Sequence, residues 1–349
     1  MIEPVSPAPG RRARRAAQLA VFALAVAALP ATPAAAGPLP LGTLATTAAV
    51  DKSCPSGYGC QGIEVHCPAV RKDARGFVAT GPRPAAPRGL VVFLNAGSGK
   101  RYWTETHDTA RALVAELVDR GLRVVMVRWQ TPWAVALSGE RAGASALGCR
   151  PATALSWIRA HRYPVPGMAP NEKVGRCGFC VVGSSSGTNQ AAYPLSHYGL
   201  DASIDAAVLT SGPTLGALEK GCLDTPGYRY QGSYETDVDR AYGYIDSAGP
   251  CRRSEPAYQG IDWPARWRAD GVATGGSDYR HDTTRVHIIV GENDVNIPNH
   301  AADYRDRLLA AGSPQVCFQV IPDMGHGIKG SPEGMRALRD ALLGTACPA

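Results

Sequence analysis

Residues Val181 to Gly187 read V-V-G-S-S-S-G, a short β-branched run that breaks at a glycine, passes through three serines and reaches a second glycine. A serine at the apex of a strand-to-helix turn is pushed out of the backbone trace, and the corner is so tight that small residues are needed two positions before and after it. Only Ser185 has glycines, Gly183 and Gly187, at that spacing; Ser184 lies between Val182 and Ser186, and Ser186 between Ser184 and Thr188. A serine hydroxyl is a weak nucleophile at neutral pH. It needs an imidazole to take its proton and a carboxylate to hold that imidazole in the right tautomer.

Of eight histidines, His326 fits best, because it stands in P-D-M-G-H-G, a glycine-bracketed loop after an apolar strand. His66, His107, His161, His197, His281, His287 and His300 fall in other elements, where surface or structural roles are expected. For the carboxylate, V-H-I-I-V-G-E-N-D-V-N-I-P runs from a buried strand through Gly291 into a loop, which favours Asp294 over its neighbours Glu292 and Asp323. The alternative for Asp294 is a helix cap or an Asx turn.

Negative charge developing on a substrate oxygen calls for two backbone N–H donors, one of them from the residue after the nucleophile. These are expected at Ser186 and at Gly97, with Ala96 next, in the run Asn95-Ala96-Gly97-Ser98-Gly99. Gly97-Ser98-Gly99-Lys100 is only a fragment of a phosphate-binding loop. No organic cofactor and no metal is expected. Cys177 and Cys180 form the one C-x-x-C, without a second pair to complete four ligands, and a redox role there is disfavoured because the serine strand follows directly.

The elements that must carry these residues alternate. Leu90–Leu94 is a continuous apolar run of the kind found in sheets covered on both faces. A helix follows with Ala110, Leu113, Val114, Leu117 and Val118 on one face, stopping at Gly121. Strands are expected at 124–127, 179–183, 206–209 and 286–290, and Val316, Phe318 and Val320 mark the last. Pro151 suits the first turn of a helix through Ile158 and Ala160, and a closing helix over 332–343 presents Met335, Leu338, Leu342 and Leu343. Such alternation predicts an α/β fold with right-handed crossovers and a mainly parallel central sheet flanked by helices. Ligands collect at the carboxyl ends of such strands, where every candidate residue lies.

The chain order Ser185, Asp294, His326 on strand ends resembles the α/β-hydrolase superfamily, with the match running from about Leu90 to Leu343. The run from Gly291 through Pro298 to His326 is also similar to the prolyl-oligopeptidase and esterase branches. One departure is Asn95-Ala96 where the superfamily has His-Gly. The expected domains are a core of 90–212 and 285–349, preceded by a Cys/Pro-rich segment 37–89 whose three cysteines suggest a stapled loop or short strands. Residues 213–284 are far longer than a connection between core strands needs, and the resemblance implies that they form a cap insertion. Its tyrosines and tryptophans, from Tyr228 to Tyr279, either line a pocket or form the insertion's own core.

Arg11, Arg12, Arg14 and Arg15 precede an apolar run from Ala16 to Leu29, and Ala34-Ala35-Ala36 offers a cleavage site, so residues 1–36 read as an export signal. That run of 14 residues is too short for a spanning helix, so no membrane anchor is expected after its removal. Sec and twin-arginine export both remain open. The signal takes four arginines and one glutamate with it, leaving 32 basic and 29 acidic side chains without a basic stripe, which argues against nucleic acid as a partner. All ten cysteines lie in the exported part and read as disulfides, with Cys222–Cys251 and Cys317–Cys347 expected and the other pairings open. Together these features predict a secreted or extracytoplasmic serine hydrolase acting on a small-molecule or polymer-borne carboxylic ester through an acyl-enzyme. The alternatives are a serine peptidase acting on short peptides and a non-catalytic binding protein on the same scaffold.

Overall fold

The computed structural model describes residues 37–165, 177–230 and 232–344. The expected export signal and Cys347 lie outside them. Nine strands form one sheet in the order β1-β2-β3-β5-β4-β6-β7-β8-β9. They are β1 Thr43–Thr47, β2 Gly59–Cys67, β3 Val70–Thr80, β4 Gly89–Leu94, β5 Leu122–Trp129, β6 Phe179–Ser184, β7 Ala206–Thr210, β8 Arg285–Gly291 and β9 Val316–Ile321. From β5 through β9 the neighbours pair in parallel. β1, β2 and β3 add an antiparallel edge on the β5 side.

The helices are α1 Asp108–Asp119, α2 Ala144–Leu147, α3 Cys149–Arg162, α4 Asn189–Ser196, α5 Leu218–Cys222, α6 Ser233–Ala241, α7 Pro250–Arg253, α8 Trp263–Asp270, α9 Ile297–Ala310 and α10 Pro332–Leu343. Because side chains alternate along a strand, the central strands feed two separate cores. Leu90, Val92 and Leu94 of β4 join one core with residues of α3, α4 and α9, while Val91 and Phe93 join the other with Leu113 and Leu117 of α1 and Leu338 and Leu342 of α10. Among the described residues, no helix is long and apolar enough to cross a membrane.

The segment before Leu90 departs from its expected form. The Cys54–Cys60 bridge does staple a loop, but β2 and β3 are then nine and eleven residues long, and β3 pairs directly with β5 while β2 pairs with β3. Their apolar residues Ile63, Val65, Ala74 and Val78 belong to the main core, so β4 is not the first core strand. Cys67–Cys149 ties β2 to α3, and Cys177 pairs with Cys180. The expected Cys222–Cys251 bridge is present and joins α5 to α7. At the far edge, β9 buries Cys317 and Ile321 rather than the apolar residues between them, and Val320 is 48% exposed.

The insertion 213–284 folds into α5 to α8. Tyr230, Tyr242, Trp263, Trp267 and Tyr279 are buried in the same core as β4 and α4, so most of its aromatic surface holds the insertion to the sheet. Tyr193 of α4 donates to the Asp270 carbonyl at 2.7 Å and Tyr242 to the Asp270 carboxylate at 2.6 Å, which anchors the end of α8.

Four histidines, His197, His281, His287 and His300, are buried rather than at the surface. Burial holds His197, His287 and His300 down to a pKa of about 4, against an ordinary value of 6.5. The unfolded chain therefore binds more protons than the folded one between pH 6.5 and 4, and stability falls as the pH drops through that window, by up to about 3 kcal/mol per ring. Urea denaturation at pH 7, 5 and 4 should show this loss. His197→Phe, which cannot take up a proton, should lose less across the same interval.

Candidate active site

β6 ends at Ser184 and the chain turns at once into a 3-10 turn, Ser185–Thr188, that leads into α4. Ser185 sits at the corner with φ +53°, in the left-handed region that an L-residue with a side chain avoids at a cost of about 1–3 kcal/mol. The two flanking glycines are required by crowding. A Cβ on Gly183 would lie 2.5 Å from the Gly187 carbonyl oxygen, and one on Gly187 would lie 2.3 Å from the carbonyl oxygen of Leu94 on β4. Close backbone packing on both sides of the corner therefore holds the serine in its strained conformation.

His326 lies in the loop after β9, and its Nε2 is 2.8 Å from Ser185 Oγ. Its Nδ1 is 2.8 Å from Oδ2 of Asp294, which follows β8. The Asp294 side chain is only 3% exposed, whereas that of His326 is 37% exposed. A buried carboxylate accepts the Nδ1 proton, so Nε2 of the neutral ring is left as the acceptor facing the serine. The rival Glu292 is engaged elsewhere, its carboxylate accepting from the Asp323 backbone amide at 3.1 Å.

The glycines bracketing His326 are not what places it. Neither Gly325 nor Gly327 has a positive φ, and a Cβ on either would meet nothing. The loop is held by Ser211 at the end of β7, whose hydroxyl donates to the His326 carbonyl at 2.7 Å, and by the Asn293 amide, which donates to the Met324 carbonyl at 2.7 Å. Gly291 is the glycine that matters there, since its Cβ would come within 2.3 Å of the Met324 carbonyl oxygen and force the two loops apart.

Opposite the histidine, the loop after β4 approaches the serine turn, and the Ser186 hydroxyl donates a short hydrogen bond to the Gly97 carbonyl. Gly97 has φ +61° and an open face, so its backbone is accessible to a bound molecule. The Ser186 amide opens the 3-10 turn, where the first N–H groups have no partner within the turn. The loop is anchored by Asn95, a residue the sequence marked only as a departure. Its Nδ2 donates to the carbonyls of Arg101 and Tyr102 at 3.1 and 3.2 Å, and its carbonyl accepts from Gln190 Nε2 at 3.2 Å. Its Oδ1 accepts from Lys329 Nζ at 2.7 Å, so one buried ammonium ties the Gly97 loop to the His326 loop. Lys329 also donates to the Trp103 carbonyl at 3.2 Å and lies 4.7 Å from the centre of the Trp103 ring.

A cavity of about 360 Å³ opens beside His326 and Asp294. Arg229, Tyr230 and Tyr234 from the insertion and Val295 and Ile297 from the aspartate loop line it. The Tyr234 hydroxyl is 3.0 Å from His326 Nε2. Sequence reasoning placed Tyr234 among many aromatics and did not single it out, and it passed over Ser211 and Lys329. The one available signal was proximity to the motifs: Ser211 opens the Ser-Gly-Pro break after β7, and Lys329 follows three residues after His326. Among the described residues, no cluster of His, Cys, Asp and Glu is arranged to hold a metal ion.

Solved structures that share this arrangement of strands and helices include a brefeldin A esterase described as a bacterial homologue of human hormone-sensitive lipase. It is 16% identical, with a TM-score of 0.50 over 85% of this chain and 79% of that one. The chain has the α/β-hydrolase fold. A puromycin hydrolase is 18% identical with a TM-score of 0.50 over 86% of this chain, and the Pyrococcus horikoshii acylaminoacyl peptidase is 11% identical with a TM-score of 0.47 over 82%. This chain spans only 42% and 41% of those two longer chains. No protein-family model and no curated protein matches the sequence. Within this α/β-hydrolase fold, Ser185, Asp294 and His326 all stand just beyond the carboxyl ends of parallel strands.

The Lys329 bridge has a measurable consequence. Burial, opposed by Glu105 and reinforced by Arg101, lowers its pKa from 10.5 to about 8. The unfolded chain then binds more protons between pH 8 and 10.5, so the contribution of Lys329 to stability rises over that interval. Lys329→Met should cost about 1–3 kcal/mol at pH 7 by leaving the buried Asn95 Oδ1 without a donor. The deficit against wild type, read from urea denaturation, should widen toward pH 10.

Proposed function

We propose that the protein is a serine hydrolase that cleaves carboxylic esters through an acyl-enzyme. The reading is carried by the unbroken relay from Asp294 to His326 Nδ1 and from His326 Nε2 to Ser185 Oγ, both links 2.8 Å long, at a serine held with φ +53°. A structural serine would gain nothing from that strained corner, whereas a nucleophile gains exposure toward the solvent side of the sheet.

In this mechanism Ser185 Oγ attacks the ester carbonyl carbon as its proton passes to His326 Nε2. Asp294 holds the ring and stabilises the resulting imidazolium without itself becoming protonated. The carbonyl oxygen gains the electron pair of its π bond and is stabilised by the backbone N–H groups of Ser186 and Gly97. Collapse of the tetrahedral intermediate breaks the bond to the leaving oxygen, which takes the proton from Nε2. Water then repeats the sequence on the acyl-Ser185 ester and frees the acid. Each lost oxyanion donor typically costs about 10² to 10³ in rate.

The disulfides Cys54–Cys60, Cys67–Cys149, Cys177–Cys180 and Cys222–Cys251 support an oxidising, extracytoplasmic location for this activity. The lining of the cavity, with Tyr230, Tyr234, Val295 and Ile297, suits a substrate that carries an apolar or aromatic group next to the ester.

A fluorophosphonate probe should label wild type and leave Ser185→Ala unlabelled. Ser185→Ala and His326→Ala should each lower kcat on nitrophenyl esters by about 10⁴-fold or more, and Asp294→Asn by about 10⁴-fold, with the fold intact by circular dichroism. Equal labelling of wild type and Ser185→Ala would sink the proposal. Aminoacyl anilides in the same assay separate ester from peptide hydrolysis.

A further inference from the structure

The insertion places one polar group against the reacting atoms for which the relay has no need. Tyr234 lies in the first turn of α6, and its hydroxyl is 3.0 Å from His326 Nε2, the nitrogen that also faces Ser185 Oγ at 2.8 Å. Its ring stands edge-on to the imidazole, 6.1 Å between centres at 81°. It also stacks on Tyr230 at 6.0 Å. Tyr230 in turn is fixed, donating to the Thr214 carbonyl at 3.0 Å and stacking on the buried His300 ring at 4.9 Å. The phenol is therefore aimed from a packed platform.

Resting on the reading of Ser185, His326 and Asp294 as a catalytic relay, we propose that Tyr234 is a further catalytic residue. Its hydroxyl donates a hydrogen bond to the leaving-group oxygen as His326 protonates it, which suits the site to esters of unactivated alcohols.

The geometry assigns the hydroxyl to this step. The leaving oxygen must come within hydrogen-bonding distance of His326 Nε2 to be protonated, so it must approach the one atom that Tyr234 also touches. The Gly97 loop after β4 meets the serine turn at the Ser186 hydroxyl, whereas the cavity beyond Tyr234 is lined by His326, Asp294, Val295 and Ile297. An alcohol portion leaving on the histidine side would enter that cavity. Burial raises the pKa of Tyr234, a hydrogen bond with Ser185 opposes the shift, and the carboxylates of Asp294 and Asp237 add to it. The phenol thus stays neutral with a proton to donate. When the intermediate collapses, the carbon–oxygen bond breaks and its electron pair goes to the leaving oxygen. That oxygen takes the Nε2 proton, neutral imidazole and acyl-Ser185 remain, and Tyr234 keeps its own proton throughout.

The test compares esters of one acid with different leaving groups, read as kcat/KM so that only acylation is measured. A nitrophenolate leaves as a stable anion and needs little help, whereas an alkoxide needs its developing charge satisfied. Tyr234→Phe should lower kcat/KM for an ethyl ester by about 10- to 100-fold and for the 4-nitrophenyl ester by less than about threefold. The retained nitrophenyl activity shows in the same experiment that the variant is folded. In wild type, a series of substituted phenyl esters should show a shallow dependence on leaving-group pKa. A steep wild-type dependence, an equal loss on both esters, or an unchanged ethyl-ester rate would each overturn the proposal. Failure of the relay itself shows differently, as Ser185→Ala retaining activity on both esters.

Discussion

The site depends on how closely three pieces of backbone approach one another at the end of β6. The Leu94 and Asn95 carbonyls press against Gly187, and Gly187 presses against Gly183, leaving no space for a side chain at either glycine. With both neighbours packed this way, Ser185 cannot relax into ordinary backbone space, and its hydroxyl is fixed above the sheet. That contact also joins the β4 loop, with Gly97, to the serine turn. The positions of Ser185 and of the Gly97 loop are set by the same few ångströms of packing.

Around this corner the molecule brings together loops that are far apart in the chain through backbone contacts and buried polar bridges. Ser211 holds the His326 carbonyl, Gly291 lets the β8 and β9 loops touch, and Lys329 reaches across to Asn95. Burying an ammonium is costly unless its donors are satisfied, and here Asn95 Oδ1, the Trp103 carbonyl and the Trp103 ring surround it. Where an α/β-hydrolase fold commonly carries His-Gly, this chain has an asparagine whose side chain organises the loop from within. Asn95 thus anchors the loop, with Gly97 exposed at its tip.

The insertion is less a lid resting on the sheet than an extension of the core. Both of its tryptophans and its Tyr230, Tyr242 and Tyr279 are buried with β4 and α4, and Arg229, Tyr230 and Tyr234 line the cavity beside His326 and Asp294. Asp270, held by Tyr193 and Tyr242, and the Cys222–Cys251 bridge anchor the insertion at two places.

The sequence by itself determined the alternation of strands and helices and the positions of Ser185, Asp294 and His326. Buried parallel strands are continuous apolar runs, and a strained serine corner needs glycines at fixed spacing; both are local demands that a linear pattern records. It also favoured Cys222–Cys251, two cysteines that both fall inside the insertion. Only the tertiary structure decided what depends on distant neighbours. The segment holding β2 and β3 reads in sequence as a stapled loop or short strands because β5, which pairs with β3 and joins both strands to the sheet, lies far along the chain. The glycines around His326 drew attention that belonged to Gly291, because crowding between two loops leaves no trace in either loop's own sequence. Tyr234 and Lys329 were ordinary residues until folding brought their polar ends within hydrogen-bonding distance of His326 and Asn95, a proximity that no spacing rule encodes.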